Sequence, residues 1–285
     1  MRETVVPPPV QNEHSFHPLF HAVVVTRRHR VMIRFLLTLL VAGVATVFPG
    51  SIAGIVSDRF PRIRLLVTKF WAQSILSTAG VTLRVEGLEH VRGSDAMYFV
   101  GNHQSSLDIP ILFSALPYQV RFMAKDALFR IPVFGWIIKR CGHVPVDRKS
   151  ARRTLATLQR MLKASHREPF AVAVFPEGTR SEDGVLLPFR RGALKIGVLT
   201  GLPIVPFTID GSVSVHARGS YRGVPGDVRL VFHEPVLPEE AATLSPQALH
   251  DRVYRSISSA LPVSCLPAGE PAAPLDVAVA ATEGL

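Results

Sequence analysis

Two hydrophobic patterns divide the chain near residue 80. Phe35 to Val56 is an apolar run without a charged residue. A bilayer core of about 30 Å needs about 20 helical residues, so a helix here is long enough to span one. Pro49-Gly50 places a turn signal inside the run. Ile63 to Ile75 then carries an amphipathic pattern. From Val81 short apolar runs predict strands at Val81–Val85, Met97–Val100, Val120–Met123, Val144–Val146, Phe170–Phe175, Ile204–Ile209 and Val228–Phe232. Helical patterns fall at Ala151–His166, with Leu155, Leu158 and Leu162 on one stripe, and at Arg190–Leu199 and Pro246–Leu261. This alternation predicts an α/β fold: a central, mostly parallel sheet flanked by helices, preceded by an N-terminal membrane-associated helical segment.

The expected divisions are a basic mobile leader at 1–30, a membrane-associated helical segment at 31–79, a domain at 80–262 and a disordered tail at 263–285. Pro7-Pro8-Pro9 opposes a helix in the leader, and Pro18 breaks the spacing of His14, His17 and His21, which read as solvated rather than metal-binding. Arg27, Arg28, Arg30 and Arg34 precede the apolar run, and Arg59, Arg62, Arg64 and Lys69 follow it. Basic residues on both flanks select no orientation. A spanning helix, a hairpin entering one leaflet and a buried helix of a soluble domain all remain open.

Of the 285 residues, 47% are hydrophobic and 19% charged, which excludes a disordered chain. Cys141 and Cys265 form no CxxC pattern. A disulfide framework and a cysteine metal site are not expected, in keeping with a reducing cytoplasm. The net charge is +10, yet no nucleic-acid reader motif accompanies it. An anionic membrane surface or a phosphorylated, CoA-like ligand fits the spread of basic residues better.

Asn102-His103-Gln104-Ser105-Ser106-Leu107-Asp108 follows a predicted strand directly. On one continuous helix, positions five apart diverge by about 140°. His103 and Asp108 therefore meet only if His103 lies in the loop and Asp108 in the first turn of the next helix. There Asp108 would hold the Nδ1 hydrogen, leaving Nε2 to take a proton from a hydroxyl. No GxSxG elbow occurs, so the nucleophile would come from the substrate. A soluble hydrolase lacks its nucleophile, and a non-catalytic lipid binder has no use for a base.

Phe175-Pro176-Glu177-Gly178-Thr179-Arg180-Ser181 also follows a predicted strand. Gly178 allows close backbone approach, Thr179 and Ser181 offer hydroxyls, and Arg180 offers a forked cation, a set suited to a phosphate monoester or to a plain solvated turn. Lys125 ends another strand, and Arg148 precedes the helix at 151.

The segments NHQSSLD, GHVPVDR, FPEGTRS and LPIVP stand in this order at positions 102, 142, 175 and 202. Together they resemble the four motifs of the PlsC-type glycerolipid acyltransferases, and within them the 1-acyl-sn-glycerol-3-phosphate acyltransferases. The likeness covers roughly Val81 to Pro235, with Pro145 a departure from the family pattern. The resemblance implies His103 as catalytic base and Asp108 as its orienting partner. It implies that Glu177, Gly178, Thr179 and Arg180 hold the acceptor phosphate, with Arg148 and Lys125 in support. It also implies a membrane lipid substrate, acyl-CoA or acyl carrier protein as co-substrate, no metal or other cofactor, and a catalytic domain on the cytoplasmic side of the cell membrane. Glycerol 3-phosphate, another lysophospholipid or a lyso-aminolipid are alternative acceptors.

Overall fold

In the computed structural model the described residues are 18–56, 60–91, 96–146, 151–164, 170–221 and 223–269. Seven strands form one sheet in the order β1-β7-β6-β2-β5-β3-β4. They are β1 (Val81–Glu86), β2 (Met97–Gly101), β3 (Gln119–Lys125), β4 (Val144–Val146), β5 (Phe170–Val174), β6 (Ile204–Asp210) and β7 (Gly226–Phe232). Each predicted strand is present within two residues of its expected limits. Every pair is parallel except β6–β7. Central β2 and β5 are buried at all positions, as parallel strands covered on both faces must be.

Side chains alternate across β2 and feed two cores. Phe99 packs with Phe207, Phe232 and the helices α2 (Pro61–Ala79) and α3 (Asp108–Ala115). Tyr98 and Val100 face Leu158, Leu194, Val253 and Ile257, carried on α5 (Ala151–Ala164), α6 (Arg191–Thr200) and α9 (Pro246–Ser259). Shorter helices are α4 (Phe134–Arg140), α7 (Ser212–Val215) and α8 (Pro238–Thr243). The fold continues beyond residue 262: the Leu186 N–H donates to the Cys265 carbonyl at 2.8 Å, and Leu266 is buried. Within the expected tail, residues 270–285 lie outside the described set.

Helix α1 runs from Pro18 to Val56, straight through Pro49. The turn expected at Pro49-Gly50 is absent, and the chain instead comes back along α1 as α2. Residues 18–30, expected in the leader, belong to α1, while residues 1–17 are outside the described set. Tertiary packing offsets the backbone donor that Pro49 lacks. Gly50 and Gly54 let α4 approach through Ile137 and Trp136, and the Arg140 Nε donates to the Gly54 carbonyl at 3.1 Å. On α2, the Trp71 Nε1 donates to the Thr46 hydroxyl at 3.0 Å. His29–Val56 is long and apolar enough to cross a membrane, and only 11% of its apolar window is buried. Leu36, Leu40, Phe48 and Ile55 of α1 and Leu66 and Phe70 of α2 face outward.

Candidate functional site

Strands β2 and β5 are parallel neighbours, so the loops after them leave the sheet at one edge. Asn102 fixes the first loop: its amide donates to the Ile209 carbonyl and accepts from the Ile209 N–H, both at 2.8 Å. His103 lies in the loop and Asp108 opens α3, with the His103 Nδ1 and the Asp108 Oδ2 2.7 Å apart. That same oxygen accepts from the Gln104 and Ser105 N–H groups at 2.8 and 2.9 Å, and Oδ1 accepts from the Ser212 hydroxyl at 2.7 Å. Four donors fill the acceptor sites of a fully buried carboxylate. With Nδ1 engaged by Asp108, Nε2 is the ring nitrogen left for proton transfer. Its ring stacks on Phe175, with centroids 4.0 Å apart and planes 11° apart.

After β5, Phe175-Pro176-Glu177-Gly178 forms a turn closed by the Gly178 N–H on the Phe175 carbonyl at 3.1 Å. Gly178 has φ +70°, and the Arg190 guanidinium occupies the space a Cβ would need. The Glu177 side chain turns inward. Its Oε1 accepts from the His103 backbone N–H at 2.6 Å and its Oε2 from the Leu187 N–H at 3.2 Å. Burial, with the charge of Asp108 adding, pushes this carboxyl up to about 8 against those two donors. The Ser181 N–H donates to the His103 carbonyl at 2.9 Å, a second tie between the loops.

A third wall comes from the β6–β7 connection. The Ser105 hydroxyl donates to the His216 carbonyl at 2.7 Å, and the Ser106 hydroxyl lies 3.2 Å from the His216 Nδ1. Burial and the nearby Arg180 charge lower the His216 pKa. The Arg218 guanidinium donates to the Thr179 hydroxyl at 3.2 Å and the Arg180 carbonyl at 3.1 Å. Beside the loop opens a cavity of about 380 Å³. Its walls are Phe35, Leu39 and Ala42 of α1, Trp71 and Ile75 of α2, Phe113 of α3 and Ile137 of α4, with Ser106 and His216 also on its lining.

The family model described as Acyltransferase matches residues 82–210. The chloroplastic 1-acyl-sn-glycerol-3-phosphate acyltransferase BAT2 of Brassica napus is 36% identical over 73% of this chain and 62% of its own length. The human 1-acyl-sn-glycerol-3-phosphate acyltransferase alpha is 30% identical over 62% of this chain and 63% of its own. The crystal structure of the 1-acyl-sn-glycerophosphate (LPA) acyltransferase PlsC from Thermotoga maritima matches with a TM-score of 0.69 and 28% identity, covering 81% of this chain and 94% of that one. Residues 82–210 thus form a domain similar to the acyltransferase family, in a chain that shares the fold of PlsC. The chain spans 62%, 51% and 60% of the length of three plant and algal relatives.

Within this acyltransferase fold the expected site residues divide into groups. His103 and Asp108 are in contact, and Gly178, Thr179 and Arg180 occupy the adjoining turn. The Glu177 side chain, expected beside the acceptor phosphate, is turned inward, and each of its oxygens accepts from a backbone N–H, those of His103 and Leu187. Lys125 is exposed at the same sheet edge, at the end of β3, two strands from β2. Arg148 lies outside the described residues. Phe175, Ser212, His216 and Arg218 were not anticipated. The segment Gly211-Ser212-Val213-Ser214-Val215-His216-Ala217-Arg218 reads only as a polar turn, so its packing on the site has no local signal.

Proposed function

We propose that this protein moves a fatty acyl group from the thioester of acyl-CoA or acyl carrier protein to the sn-2 hydroxyl of 1-acyl-glycerol 3-phosphate, giving phosphatidic acid. One observation carries the reading: an Asp-oriented imidazole beside an apolar cavity and a cationic turn. The His103 Nε2 takes the hydroxyl proton while the oxygen attacks the thioester carbonyl carbon. The C–O bond forms, the tetrahedral intermediate collapses, the C–S bond breaks, and the imidazolium returns the proton to the leaving sulfur. Asp108 holds the tautomer and stabilises the transient cation. Arg180, with Gly178 and Thr179, holds the acceptor phosphate; Lys125 and Arg148 support it. The apolar cavity accepts an acyl chain. No metal or other cofactor takes part in this scheme.

The relatives at 36% and 30% identity support this acceptor by their names. The outward apolar face of α1 and α2 supports membrane attachment; in this reading the membrane is the cell membrane and the catalytic domain lies on its cytoplasmic side. The test is an assay of labelled acyl donors against 1-acyl-glycerol 3-phosphate, glycerol 3-phosphate, other lysophospholipids and a lyso-aminolipid. The expected result is transfer preferentially to 1-acyl-glycerol 3-phosphate, reduced about 10²–10⁴-fold in His103→Ala. Wild-type turnover in a folded His103→Ala variant rejects the mechanism.

A further inference from the structure

The connection between β3 and β4 carries an exposed apolar turn with a strained backbone. Val133 has φ 63° and ψ −60°, and the Phe134 N–H donates across it to the Pro132 carbonyl at 2.7 Å. Such a positive-φ γ-turn at a β-branched residue costs about 1–3 kcal/mol. The protein does not offset this by burying the side chain: Val133 is 51% exposed, Ile131 46% and Trp136 45%. A glycine or asparagine at 133 would remove both the strain and the apolar exposure. The turn is nevertheless well held. The Gly135 N–H donates to the Ile131 carbonyl at 2.7 Å, the Ile137 N–H to the Val133 carbonyl at 2.9 Å, and the Phe129 carbonyl leaves no room for a Cβ at Gly135.

The surroundings define what covers the turn. Exposed Lys125, Arg130, Lys139 and Arg140 flank it. The one carboxylate among residues 125–140, Asp126, pairs with Arg130 at 2.6 Å. The Trp136 ring lies against Gly54 of α1, close in sequence to the outward-facing Ile52 and Ile55. On the inner side Leu128, Phe134 and Ile137 of the same segment line the apolar cavity. An apolar tip with cationic shoulders and an interfacial tryptophan matches an anionic lipid leaflet.

We propose that residues 131–136 insert into an anionic leaflet as a membrane contact beyond α1 and α2, a wedge that brings the wall of the acyl cavity to the lipid. This rests on the reading of the protein as a membrane lipid enzyme, and its test does not depend on turnover. The full chain is mixed with phosphatidylcholine/phosphatidylglycerol vesicles whose acyl chains are brominated. Trp136 fluorescence is taken as the difference between wild type and Trp136→Phe. The expected result is strong quenching of Trp136, weaker on phosphatidylcholine alone. The variant Ile131→Ser/Val133→Gly, which keeps a residue suited to positive φ, is expected to partition about tenfold more weakly: the two half-exposed side chains together have about as much surface left to bury as one whole aliphatic side chain. Its acylation of micellar lysolipid should stay at the wild-type level. An unquenched Trp136, or wild-type partitioning of the double variant, overturns the wedge. So does an equal loss of turnover in micelles and on vesicles, which would place the segment in the chemistry instead. Wild type that binds vesicles through a quenched Trp136 but acylates no lysolipid keeps the wedge and rejects the proposed reaction.

Discussion

The Glu177 carboxyl accepts the backbone N–H of His103 at 2.6 Å, so the turn after β5 sets the position of the loop after β2. The contact is to the backbone of His103, not to its imidazole. Removing the side chain leaves the part-buried Leu187 and His103 donors unmatched, at up to about 1–3 kcal/mol each. Glu177→Ala should therefore act through His103: kcat falls about 10²-fold, the scale of an ångström of misplacement. The KM for the lysolipid should move much less. Glu177→Gln, which keeps one acceptor oxygen, should recover part of kcat. A rise in KM with kcat intact would return Glu177 to the acceptor site.

Three buried groups predict the pH dependence of stability. Burial raises Glu177 to about 8, whereas burial lowers His143 and His233 to about 4, with Arg121 and Arg64 adding at His143, and His90 and Arg229 at His233. Between pH 4.5 and 8 the folded chain keeps a proton at Glu177 that the unfolded chain releases, so stability from this group is lost as pH rises. Between pH 6.5 and 4 the unfolded chain binds protons that the two folded histidines refuse, so stability is lost as pH falls. Two histidines outweigh one carboxyl below 6.5, and Glu177 acts alone above it. Thermal unfolding should therefore peak near pH 6.5, and Glu177→Gln should flatten the limb toward pH 8. A wild-type profile rising through that limb would contradict the assignment.

The strands were legible because central parallel strands such as Phe170–Val174 are apolar at every position, a signal that survives without tertiary information. The meeting of His103 with Asp108 was legible as a geometric condition on a loop and a first turn. Other features depend on packing that local pattern does not carry. Pro49-Gly50 has the chemistry of a turn, but Gly50 and Gly54 serve as the seat for α4 and the helix continues. Helix α4 itself is seven residues with an internal glycine, too short to show a period. The inward direction of Glu177 is set by the neighbouring loop's backbone, and Ser212 reaches Asp108 across more than a hundred residues of sequence.

Arg218 is predicted to share the acceptor phosphate with Arg180. Its guanidinium holds the turn after β5 through the Thr179 hydroxyl and the Arg180 carbonyl, and its ion pair with Glu182 at 3.3 Å is exposed and weakly binding. A phosphate dianion can displace that carboxylate. Arg218→Gln should raise the KM for 1-acyl-glycerol 3-phosphate about tenfold, within the range for a charge-assisted hydrogen bond. The rate with a neutral monoacylglycerol should be unaffected. Equal losses on both acceptors would mean that Arg218 only braces the turn.

The cavity predicts how acyl length is read. Ala42 of α1 and Ala124 of β3 line it with small side chains, while Phe113 and Trp71 bound it with large ones. Ala42 packs at the edge of the core that includes α2 and α3, so a larger side chain there has little room except in the cavity. Ala42→Phe should shift preference toward shorter acyl donors, lowering kcat/KM for long chains by about 10–200-fold, as when a pocket discriminates by one or a few methylenes. Short-chain donors should lose little. Competition between donors of different length in one reaction measures the shift directly. A uniform loss across chain lengths would place the acyl chain elsewhere and leave this cavity as a packing defect beneath the membrane face.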